Sequence, residues 1–164
     1  EIIFVSGQFA RTVEVKDVEK LIKTGESKGI LSKIIKESKK KNNDISNILI
    51  ENYEMPLVLT SKLMYSKIGE VILGRLSKII YPSKVNNPSV TIPAIRAGII
   101  KGIQKGNGKL NILLFIKSYP NKRMTINIPA LSKVLNKVDS INDLVKFFSS
   151  SPLERLKEPR ETKV

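Results

Sequence analysis

The chain has 164 residues, long enough for one domain with a real core, and its 41% hydrophobic content is that of a globular protein. It is strongly basic, with 29 Lys and Arg against 15 Asp and Glu and a net charge of +14, which points to an anionic partner such as an acidic protein, an anionic lipid surface or nucleic acid. It has no Cys and no His, so disulfides, thiolate metal sites, Cys nucleophiles and a Ser-His-Asp triad cannot be built from these residues.

The tract "EIIFV-SGQ-FARTVEV" predicts a hairpin turning at Ser6 to Gln8. Phe9, Arg11, Val13 and Val15 alternate with Ala10, Thr12 and Glu14, and Arg11 is expected to emerge at a sheet edge. "KDVEKLIKTG" is a short helix with Val18, Leu21 and Ile22 inward and Gly25 as its stop. Its Glu14, Asp17 and Glu19 lie among lysines and fit no metal-loop spacing, so they read as a charged helix start. "GILSKIIKESKKKNND" is a second helix with Ile30, Leu31, Ile34 and Ile35 inward, ending in Lys39-Lys40-Lys41. Such a run is either a solvated helix end that complements the dipole or a binding patch. "DISNILIEN" is a third helix, with Asp44 as its cap.

A fourth helix follows Pro56 in "PLVLTSKLMY", starting at Leu57 or Thr60. "SKIGEVILGRLSKIIYP", residues 66–82, has the best helical pattern in the chain. Ile68, Ile72, Leu73, Leu76, Ile79 and Ile80 form one stripe, Gly69 sits in it, and Gly74, Lys67, Arg75 and Lys78 fall away from it. The stretch reads as a core helix with a basic edge, without the Arg, Asn and Gln face that base reading needs. After a loop over 81–89, "TIPAIRAGIIKGIQK" is a helix capped by Thr91, stopped by Gly106 and Gly108. The Gly-rich "KGIQKGNGK" leaves a helix instead of entering one, which is the wrong order for a phosphate loop. "KLNILLFIKSYP" is the most apolar helix and is expected to be central. "RMTINI" is a strand expected to join the hairpin, and "PALSKVLNKV" and "SINDLVKFF" are the last helices. The tail "SSSPLERLKEPRETKV" is polar and charged. No apolar run approaches the roughly 18–20 residues of a transmembrane helix.

The basic residues are 23 Lys and only six Arg, whereas phosphate and base recognition favours the bidentate Arg fork. Abundant Ile and Asn with four Ala would also follow from a low-GC genome, so the charge has two open readings, an anionic partner or compositional drift.

The order of these segments resembles a cyanobacterial family catalogued as an alpha/beta hydrolase of unknown function. Thr24-Gly25, Ile68-Gly69 with Leu73, Arg96-Ala97 and Tyr119-Pro120 carry the resemblance, which spans Glu1 to Phe148. In that family the module commonly follows a signal peptide and precedes a hydrolase domain. The resemblance therefore implies an exported protein of the periplasm or thylakoid lumen, with Glu1 as a processed N-terminus; a trimmed chain is the other reading of that start. Without His, and with no nucleophile elbow expected, hydrolase activity is not expected to carry over.

The expected fold class is α+β: a mostly helical single domain over 1–148, with a small antiparallel sheet made of the hairpin and one late strand, and a tail over 149–164. The expected function is that of a non-catalytic accessory protein without cofactor or metal. It would dock on a lumenal or periplasmic membrane complex, a photosynthetic one included, or on an anionic lipid surface. Contacts are expected at Lys39, Lys40, Lys41, Arg155, Lys157 and Arg160. A hydrolase-associated or degenerate hydrolase module is the alternative, and nucleic-acid binding the minor third reading.

Overall fold

The computed structural model describes residues 1–135. The helix expected over 140–148 and the tail, with Arg155, Lys157 and Arg160, lie outside the described residues.

The hairpin forms as expected. β1 (Ile2–Ser6) and β2 (Phe9–Val13) are antiparallel, with Ile2 opposite Val13. Gly7 turns the chain at φ 59, a conformation that glycine adopts without a Cβ penalty. β2 is the outer strand of its sheet, and there Arg11 emerges and pairs with Glu37 at 2.9 Å. The expected alternation fails at Phe9, which is 77% exposed, so that within β2 only Val13 reaches the core.

Three short helices follow. α1 (Val15–Thr24) buries Val18 and Leu21, and its left-handed cap Gly25 returns its N–H to the Leu21 carbonyl. α2 (Gly29–Glu37) buries Leu31 and Ile35 and leaves Ile30 exposed. α3 (Asn42–Ile50) starts two residues before its expected cap. Asp44 is its third residue, and the carboxylate accepts the Lys41 N–H from inside the helix.

The middle of the chain departs most from expectation. After the two-residue strand β3 (Tyr53–Glu54) come α4 (Leu57–Met64) and α5 (Lys67–Leu76). The stripe predicted to run as helix to Ile80 stops at Leu76, and Ile80–Pro82 becomes strand β4. Pro82 disfavours helix in the residue before it, and the β-branched pair Ile79-Ile80 suits an extended chain. α6 (Pro88–Lys105) begins earlier than expected. Its cap is Asn87, whose side chain accepts from the Ser89 N–H, with Pro88 in the first turn; Thr91 is instead fully buried within the helix. β5 (Lys109–Leu110) pairs with β3, α7 (Ile112–Ser118) follows, and β6 (Met124–Asn127) leads into α8 (Ile128–Leu135).

The main sheet has the order β2-β1-β6-β4. The late strand does join the hairpin, but β6 lies parallel to β1, with Ile2 beside Met124, and β4 lies antiparallel to β6. The sheet is therefore mixed, correcting the antiparallel expectation. A parallel neighbour requires a long crossover, and the whole helical body between residues 13 and 124 supplies one. The α+β, mostly helical class stands.

α6 occupies the centre that was expected for α7. Ile95 and Ile103 are buried with Leu21 and Leu73. A Cβ added at Gly98 would meet the Phe115 ring at 2.9 Å, so α7 lies directly on α6 while most of its own residues stay half-buried.

Candidate functional site

Two surface features stand out: a basic groove between α2 and α3, and the outward face of α4.

The groove is open, with a volume of about 430 Å³, and is lined by Ser27, Ser32, Ile35, Lys36, Lys40, Lys41, Asn42 and Asn43. Its wall is fixed by a clasp. Ser27 Oγ donates to Asn42 Oδ1 at 3.1 Å, and Asn42 Nδ2 donates to the Gly25 carbonyl at 2.8 Å, joining the α1–α2 loop to the start of α3. The turn between α2 and α3 is made by Lys39 in the left-handed region at φ 58. That turn sends Lys40 and Lys41 to the groove beside Lys36 of α2. Lys39 does not line it.

The run Lys39-Lys40-Lys41 is thus split. Two of its members join Lys36, which the sequence reading missed because α2 ends at Glu37 and the left-handed turn at Lys39 brings Lys40 back beside it. The ion pairs among the described residues use Arg11, Arg96, Lys109, Lys117 and Arg123, and none of the groove lysines. The neighbouring carboxylates are committed: Glu37 to Arg11 and Asp44 to the Lys41 N–H. Three ammonium groups around an open groove, with the Ser32 hydroxyl and the Asn43 amide outside the clasp, can hold an anionic oxygen group.

The Gly-x-Ser-x-Gly pattern is present after all, at Gly25-Glu26-Ser27-Lys28-Gly29, contrary to the expectation that the chain has no such elbow. A nucleophile elbow sits between a strand and a helix, with a base beside the serine. Here the pattern links two helices, and the Ser27 hydroxyl is spent on an amide oxygen in a chain without His. The motif has the letters but not the setting.

The second feature was invisible as a face in the sequence. In α4 Thr60 and Met64 are buried, while Val58 is 68% exposed, Leu59 67% and Leu63 48%. Successive residues turn by 100°, so Val58, Lys62, Leu59 and Leu63 follow one another around the outward side, with Lys62 inside the apolar set. Tyr65, 64% exposed, ends the helix. From Met55 to Gly69 there are two lysines, Lys62 and Lys67, and no acid. Apolar residues occupy both sides of "PLVLTSKLM", more than one stripe can bury, but that pattern does not say which side lies outward.

Polar groups hold α4 in place. Ser66 Oγ donates to the Leu63 carbonyl at 2.6 Å and accepts from the Gly69 N–H, capping α5 while satisfying α4. Arg96 of α6 is buried and donates through Nη2 to the Met64 carbonyl at 2.9 Å and to Glu70 Oε1 at 3.1 Å. Its guanidinium also covers the Tyr65 ring, 4.1 Å from the centroid. Gly69 permits the corner, since a Cβ there would fall 2.0 Å from the Leu63 carbonyl oxygen.

The profile of the family described as alpha/beta hydrolase of unknown function (DUF1400) matches residues 1–127. The chain belongs to that family. No curated protein and no solved structure matches it. Two of the tracts that carried the resemblance, Ile68-Gly69 with Leu73 and Arg96-Ala97, meet at the α4–α5–α6 corner, where Gly69 admits the Leu63 carbonyl and Arg96 holds the Met64 carbonyl. The described residues do not form the mostly parallel sheet that a hydrolase core uses, since of the three pairings in the main sheet only β1–β6 is parallel. Among the described residues no helix is long and apolar enough to cross a membrane.

Proposed function

We propose that this part of the family is a non-catalytic docking module that attaches to an anionic membrane surface, on the exported side (the periplasm or thylakoid lumen). The observation that carries the reading is the groove in which Lys36, Lys40 and Lys41 meet without a paired carboxylate. Lysines near an anionic leaflet contribute about 1 kcal/mol each. A chain of net charge +14 adds long-range attraction that salt weakens.

Vesicle flotation tests it. The protein should float with phosphatidylglycerol-containing vesicles, lose most of that binding as salt is raised, and stay behind with pure phosphatidylcholine. Equal recovery on both vesicles, or on neither, contradicts the reading.

A second reading, a module serving a hydrolase, is favoured by the family match. Its test is ester hydrolysis by the purified chain. Activity that disappears in Ser27→Ala would replace the non-catalytic reading.

A further inference from the structure

We infer that the outward face of α4 is the membrane-inserting element of this module, and that its occupant is the headgroup and upper acyl region of an anionic bilayer. The inference rests on the proposed docking function and adds to it a specific contact.

A helix normally turns its apolar residues inward, and α1 does so, as do α2 and α5 apart from Ile30 and Val71. α4 does the reverse. Val58, Leu59, Leu63 and Tyr65 face outward, and the helix is retained by Ser66, Arg96 and the close approach that Gly69 allows. Polar anchoring from beneath leaves the apolar side open to solvent.

The composition of the face selects the occupant. Lys62 lies between Val58 and Leu59 around the helix, and Lys67 follows at the start of α5, with no acid between Met55 and Gly69. If a second copy packed on this face about a two-fold axis, the two Lys62 ammonium groups would be brought together. Eight residues span only about 12 Å, well short of what a stable dimer of standard size covers. A lipid surface accepts both properties. The Lys62 stem can lie along the acyl boundary while its ammonium rises to a phosphate, and Tyr65 is a side chain of the interfacial type.

The chain contains no Trp, so Tyr65→Trp gives a single reporter that keeps an aromatic face under Arg96. On phosphatidylglycerol/phosphatidylcholine vesicles its emission should move to the blue and be quenched by nitroxides placed near the headgroups. Leu59→Ser with Leu63→Ser should lower vesicle affinity about tenfold or more at unchanged charge. Both residues are solvent-exposed, so the circular dichroism should not change, and Val58→Ser provides an independent repeat.

Salt-sensitive binding without the blue shift would overturn insertion and leave surface docking standing. A blue shift of equal size on neutral vesicles would overturn the anionic occupant. A dimer in lipid-free solution that the double serine variant dissolves would assign the face to a second copy instead. Absence of any vesicle binding would overturn both readings.

Discussion

The Arg96 guanidinium lies 4.1 Å from the centre of the Tyr65 ring while donating to the carbonyl of the adjacent Met64. One side chain from the central helix thus fixes both the end of α4 and the aromatic group that extends its exposed face. Its Nε finds no partner in the buried site, so the arrangement depends on the Nη2 contacts and on the ring.

Arg96→Leu should destabilise the protein by roughly 2–4 kcal/mol, because the Met64 carbonyl loses a charged donor in a buried setting. Glu70→Gln should cost under about 1 kcal/mol, since Glu70 is more than half exposed and water screens the pair. Urea unfolding gives the two values. Hydrogen exchange in the Arg96→Leu variant should rise first at the α4 amides.

Two glycines of α5 should respond with opposite signs. At Gly69 a methyl group would meet backbone on two sides, the Leu63 oxygen at 2.0 Å and the Met64 Cα at 2.7 Å. Gly69→Ala should therefore lower stability by several kcal/mol or unseat α4, as overpacking against backbone does. At Gly74 nothing lies within 4 Å, and Gly74→Ala should raise stability by up to about 1 kcal/mol. Thermal unfolding of the two variants side by side checks the contrast.

Lys39 holds a left-handed backbone at a residue with a Cβ. Lys39→Gly should increase stability by about 1 kcal/mol. Because Lys39 does not line the groove, the same variant should bind anionic vesicles almost as well as the parent. A loss as large as that of Lys40→Ala would return Lys39 to the contact set.

The Tyr119 hydroxyl is buried without a hydrogen-bond partner, and burial pushes its pKa from the usual 10.0 up to about 12. The folded state favours the neutral phenol. The associated stability is complete below about pH 10 and is lost as the pH rises through about 12. Tyr119→Phe should be close to neutral in stability at pH 7, since it removes an unpaired hydroxyl, and should flatten part of the alkaline loss. Denaturant midpoints across that range, together with tyrosinate absorbance, measure both effects. Tyr53 is also pushed up to about 12, by burial first and then by the Glu51 hydrogen bond and charge, so a second late-titrating tyrosine is expected.

Much of the fold was legible where local chemistry decides. The Gly7 turn, the Gly25 cap, the Leu31 and Ile35 part of the α2 stripe and the close approach at Gly69 each follow from residue type and period. Legibility ended where distant segments compete. Ile79-Ile80 continued a helical stripe, yet the open edge of β6 took Ile80 to Pro82 as strand. The partner and direction of β6 were set by a crossover of more than a hundred residues, which no local pattern encodes. The candidate site divided in the same way. The lysine run was visible, but its partner Lys36 and the exclusion of Lys39 came from a backbone turn. The outward face of α4 could not be separated from a buried one, because apolar periodicity does not say which side the core lies on.

The central claim is charge-directed docking on a membrane, and it is tested most directly by partition onto vesicles of increasing phosphatidylglycerol content. The wild-type chain should bind with an affinity that climbs steeply with anionic fraction. The Lys36→Ala, Lys40→Ala, Lys41→Ala triple variant should bind about a hundredfold more weakly at the anionic end, as expected for about 1 kcal/mol per lysine. Identical curves for the two proteins, or stronger salt-sensitive binding to duplex DNA than to any vesicle, would contradict it.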